Sequence, residues 1–74
     1  MTEVRRDLVD AIKRQIIADA NVNMPEEERQ ERLYSAVMSA LTPDEDGMPI
    51  DEQARYLAEA SRLALLELDL LTRH

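Results

Sequence analysis

Residues 51–73 read DEQARYLAEASRLALLELDLLTR, and the periodicity of this run decides the fold. At 100° per residue, Arg55, Glu59, Arg62, Asp69 and Arg73 fall in one narrow polar strip. The remaining arc, roughly two-thirds of the circumference by the same geometry, carries Tyr56, Leu57, Ala60, Leu63, Ala64, Leu65, Leu68, Leu70 and Leu71. Such a pattern predicts a long helix over 52–72 with Asp51 as its N-cap. One neighbouring helix cannot cover so wide an apolar arc. Two neighbours cover more of it, but Leu65 and Leu66 point to opposite edges of the strip, which leaves leucine surface for another chain.

Upstream of this helix, residues 42–50 hold Pro43, Pro49 and the only glycine, Gly47. They read as a solvated acidic loop. Before the loop, Asn21-Val22-Asn23-Met24-Pro25 stops one helix and starts another, because Asn suits caps and turns while Pro is tolerated only in a first turn. A helix is therefore expected over 25–41, with Glu26, Glu27 and Glu28 where the helix dipole favours negative charge and with Leu33, Tyr34, Val37, Met38 and Leu41 as its apolar face. A further helix is expected over 3–20, capped by Thr2. Val4, Leu8, Ala11 or Ile12, and Ile16 form its stripe, and Arg6, Asp10, Lys13 and Arg14 lie opposite. The expectation is an all-α, three-helix single domain over residues 1–74 with a long C-terminal helix, assembling as a helical dimer.

Size supports the dimer. Below about 70–80 residues a single core is marginal, and disulfides, a metal or a second chain usually supplement it. The chain has 74 residues and no Cys, and its one His is His74. Self-association is the remaining common remedy. The lack of Cys, with no continuous apolar stretch at the N-terminus and no run near the ~18 residues of a membrane span, leads to an expected cytoplasmic location with no membrane partner.

Tests for chemistry turn out poorly. The run Asp44-Glu45-Asp46-Gly47 suggests a calcium loop, but with Gly47 as its sixth position the first ligand becomes Thr42 and the twelfth becomes Gln53, neither of which fits. Glu26, Glu27, Glu28 and Glu31 lack the Glu-x-x-His partners of a carboxylate-bridged metal centre, so no metal or cofactor is expected. Ser35, Ser39 and Ser61 lie inside helices without a histidine base, and one glycine cannot make a phosphate loop. No catalytic residue is expected. The basic cluster Arg5, Arg6, Lys13 and Arg14 reads as balancing Glu3, Asp7 and Asp10 and not as a phosphate-binding patch. Met24, Met38 and Met48 read as gap-filling apolar groups.

The net charge of −7 is uneven: Glu3 to Ala20 has four acids and four bases, while Asn21 to His74 has twelve acids and five bases. Direct nucleic-acid binding is disfavoured by this balance, and basic protein surfaces are attracted. The expected function is a non-enzymatic regulator or adaptor that binds and modulates another protein through its leucine-rich helix. Tyr56, Leu63, Leu66 and Leu70 are the candidate residues of a partner or dimer interface. The alternative is an acidic mimic of nucleic acid that inhibits a basic nucleic-acid-binding protein. Its acidic surface is Glu26, Glu27, Glu28 and Glu31, joined by Asp44, Glu45 and Asp46.

Overall fold

The structure, a computed structural model, describes residues 3–72. It is all-helical, with α1 at Arg6–Ala20, α2 at Glu26–Ala40, a single turn α3 at Pro43–Asp46, and α4 at Ile50–Thr72. Among the described residues there is no strand and no helix long and apolar enough to cross a membrane. Helix α1 is the organiser, because it packs against both α2 and α4.

Burial follows the periodic stripes. Leu8, Val9 and Ile12 of α1, Val37 of α2, and Tyr56, Ala60 and Ala64 of α4 form the core, with Val4, Ile16, Leu33, Leu41, Met48, Leu57 and Leu63 packed around it. The α4 contribution is a row at i, i+4 and i+8, and two of its three members are alanines with no exposed surface. Small side chains on that row let the α4 backbone come close to Leu8 and Ile12, since interaxial distance is set by the residues at the contact. Tyr34, expected on the apolar face of α2, is instead 64% exposed.

The element boundaries differ from expectation in three places, each for a physical reason. Helix α1 starts at Arg6, not at residue 3, because Arg5 is extended (φ −69°, ψ 137°) and is committed to tertiary bonds. Its backbone N–H donates to the Tyr56 hydroxyl at 3.2 Å. The expected cap Thr2 lies outside the described residues, as do Arg73 and His74. Helix α2 ends at Ala40, because Leu41 and Thr42 turn extended ahead of Pro43, whose ring disfavours helical backbone in the preceding residue. Helix α4 begins at Ile50, one residue before the expected cap Asp51. Its first turn is closed by the Gln53 N–H donating to the Pro49 carbonyl at 2.8 Å, and Asp51 and Glu52 sit inside that turn.

The expected loop 42–50 also contains a fourth helix. Thr42, Pro43 and Glu45 form a capping box: Glu45 N–H donates to Thr42 Oγ1 at 3.2 Å, and Thr42 N–H donates to Glu45 Oε1 at 2.9 Å, with Pro43 at the first helical position. This turn is short, but it fixes the Glu45 side chain against the core.

Candidate interaction surface

Two polar networks set the position of α4, and both converge on consecutive arginines of α1's entry. Arg5 reaches Glu45 with Nε (2.9 Å) and Nη2 (2.8 Å), while the same Nη2 donates to the Ala40 carbonyl at 2.7 Å. That last bond places a cation on a carbonyl at the C-terminal end of α2, where the dipole favours it. The Tyr56 hydroxyl donates to Glu45 Oε2 and accepts from Arg5 N–H. One carboxylate therefore ties together α1, α2, α3 and α4. Glu45 is 5% exposed, and the Arg5 guanidinium is the first of the groups that hold its pKa down, to about 2, against the opposing effect of burial. Burial and the Glu45 carboxylate push the Tyr56 phenol up.

The second network fastens the C-terminal half of α4. Glu67 accepts from Arg6 and from Lys13 Nζ, the latter at 2.8 Å, and Asp10 lies 3.3 Å from both cations. Arg6, followed by Lys13, lowers the Glu67 pKa to about 2. A second buried carboxylate, Asp19, accepts from Gln15 at 2.7 Å and from Arg32 at 3.2 Å, joining α1 to α2.

These networks correct two expectations. Arg5, Arg6 and Lys13 are structural cations, as expected, but beside Asp10 their main partners are Glu45 and Glu67, far along the chain, and not Glu3 and Asp7. Glu45 is a buried anchor, so it belongs neither to a solvated loop nor to an acidic surface. The Thr42-Pro43-Asp44-Glu45 order is the local signal that marks it. Glu67 has a weaker signal: it is the acid that falls on the inward side of the leucine run.

The interface candidates divide. Tyr56 is 5% exposed and its hydroxyl is satisfied internally, so it is a core residue and not a surface contact. Leu63 is half-buried against the core. Leu66 and Leu70 are more than half exposed, at 53% and 54%. Leu65 and Leu71, at 57% and 65%, join them. At 100° per residue Leu66 and Leu70 lie on one flank of α4, whereas Leu65 lies on the other and Leu71 falls close to the row of Ala60 and Ala64.

Each flank borders a groove. On the first, Val4, Met48 and Ala58 together with Glu52, Arg55, Glu59 and Arg62 line a groove of about 700 Å³. On the second, Leu68 and Leu71 meet Ile17, Asp10, Lys13 and Arg14 around a space of about 540 Å³. Glu26, Glu27, Glu28 and Glu31 are all exposed on the first two turns of α2. Among the described residues, no group of three or more His, Cys, Asp or Glu is arranged to hold a metal ion. No family model, curated protein or solved structure matches the chain.

Proposed function

We propose that this chain is a non-enzymatic regulator or adaptor that self-associates and docks another protein through the C-terminal half of α4. The observation that carries the reading is the set Leu65, Leu66, Leu70 and Leu71. All four are more than half exposed on a helix that two polar networks hold in place. Large apolar side chains grouped in this way lose unfavourable hydration when a partner covers them, and a helix already in its bound conformation adds little ordering entropy to the cost of docking. The partner supplies an apolar groove or helix face, and the flanking charges set orientation.

The test is affinity capture from the native host with the tagged chain and with Leu65→Asp/Leu71→Asp, washed at low and at high salt. A partner held by the unmodified chain through the high-salt wash and lost by the variant supports apolar docking. A partner that the variant retains, but that salt removes, points to the exposed carboxylates Glu26, Glu27, Glu28 and Glu31 and replaces this reading with nucleic-acid mimicry.

A further inference from the structure

We infer that two copies of this chain pair antiparallel along the flank of α4 formed by Glu52, Arg55, Glu59, Arg62 and Leu66, with the twofold axis passing between Arg55 and Glu59. The assignment rests on the self-association proposed above and is independent of the target-docking role. It begins from an alternation of sign. Projected at 100° per residue, Glu52, Arg55, Glu59 and Arg62 fall within an arc of about 80°, with Leu66 near its middle. Along the helix axis they read acid, base, acid, base. All four are exposed, and all four border the groove that contains Val4, Met48 and Ala58.

An alternating stripe of this kind is complementary to itself in one orientation. A parallel twofold would set Arg55 beside Arg55 and Glu59 beside Glu59 at the same height. In the antiparallel arrangement, residues equidistant from position 57 meet. Arg55 then faces Glu59 of the second copy, and Glu52 faces its Arg62, with each pair made twice by symmetry. Opposite charges across a helix pair attract, and like charges repel by similar amounts. The satisfaction within one chain is incomplete: Glu59 and Arg62 pair at 2.9 Å, whereas Glu52 and Arg55 have no ion-pair partner among the described residues.

Register is chosen by the residues on either side. Moving the axis to lie between Glu59 and Arg62 brings Glu52 against Asp69 and Arg55 against Leu66, a like-charge contact and a buried unpaired cation. Moving it to lie between Glu52 and Arg55 carries Arg62 past the start of the second copy's α4 at Ile50, where no residue of that helix faces it. With the axis at position 57, residues 50–64 of the two helices overlap over roughly 22 Å, and Leu66 comes to the level of Met48 of the second copy. Met48 is half-buried and lines the same groove, so an exposed leucine meets an apolar wall at each end of the ionic stripe. Leu65 and Leu71, which lie outside this flank, stay open to a different protein.

Sedimentation of the full chain at micromolar concentration tests the inference, using Arg55→Glu, Glu59→Arg, their double variant and an equal mixture of the two single variants. Each single variant turns one pair made twice from attraction to repulsion, which should raise the dimer Kd about 30-fold. The double variant and the mixture restore opposite charges and should return to dimer. Circular dichroism on the same samples shows that the single variants remain folded. A monomeric unmodified chain overturns the self-association while leaving target docking intact. A dimer that both single variants preserve, or a mixture that stays monomeric, overturns this pairing.

Discussion

Replacing Glu45 with Gln removes one negative charge from the point where all four helices meet, and the structure allows the cost to be worked through. The carboxylate accepts from Arg5 Nε and Nη2 at 2.9 and 2.8 Å, from Thr42 N–H at 2.9 Å and from the Tyr56 hydroxyl. An amide keeps the shape but presents N–H groups where one oxygen accepted, so that donor faces donor at Arg5 in either orientation, and also at Thr42 or Tyr56. It also leaves the partly buried guanidinium without its counter-charge. Breaking one side of a buried pair costs about 3–5 kcal/mol, and because Arg5 is one-third exposed the lower end applies, about 3 kcal/mol. A chain of this size is expected to have about 4–11 kcal/mol in total, so the loss is a large share. The pH dependence follows from the same group. Its folded pKa, about 2, lies below the ordinary value of 4.5, so between these values the folded chain holds the carboxylate ionised while the unfolded chain protonates it. The stabilisation is therefore complete above about pH 4.5 and is lost as pH falls through 2. Urea unfolding followed by circular dichroism at pH 7, and again from pH 5 to pH 2, measures both effects. A Glu45→Gln chain that loses less than about 1 kcal/mol at pH 7, or that keeps the same acid dependence as the unmodified chain, would refute the anchoring role.

Other consequences are as direct. Ala64→Leu forces a branched side chain into a site with no exposed surface against α1 and should lower stability by about 1–3 kcal/mol in the same unfolding assay. Glu67→Gln, at a more open site, should leave the midpoint nearly unchanged while accelerating hydrogen exchange in the last turns of α4, because the tie to Arg6 and Lys13 is what holds them. Excess chelator should leave the melting temperature within a degree or two; a large drop would show a metal contribution that the donor arrangement does not support.

Local signals carried most of the architecture. The stripes Leu8, Ile12 and Tyr56, Ala60, Ala64 follow the helical period, and Pro25, Pro43 and Pro49 mark the junctions, so the long helices are legible within a few residues. Helix entry at α1 is not legible, because what stops the helix at Arg6 is a set of bonds from Arg5 to groups 35 to 51 residues away. Tyr56 and Tyr34 exchange their expected environments for a related reason. An aromatic with a hydroxyl is buried readily once a partner reaches that hydroxyl, and for Tyr56 the partner is Glu45, hidden inside a run of acids that reads as solvated. The capping box beginning at Thr42 is a local signal of a helical turn there, and once a turn is drawn, its acid at the third helical position has one face toward the core. Exposure of Leu70 agrees with the unusually wide apolar arc and Leu66 falls inside the polar strip, yet the arc alone does not separate the leucines that α1 covers from those it leaves open.

That separation comes from where α1 lies along α4. Helix α4 runs 23 residues and α1 runs 15, and because Tyr56 meets Arg5 just before the start of α1, most of the excess precedes that contact. The polar ties to α1 fall at Tyr56 and Glu67, with Ala60 and Ala64 packed between them. Beyond Glu67 the helix continues for more than a turn with leucines that α1 covers only in part. Leu70 and Leu71 are more than half exposed, and their position relative to the core is fixed by the tie at Glu67. A surface that is apolar and also held rigid differs from a frayed terminus: its burial by another chain changes hydration without requiring the backbone to fold first. The same ion pairs that hold α1 to α4 thus fix the place of the helix that carries these leucines.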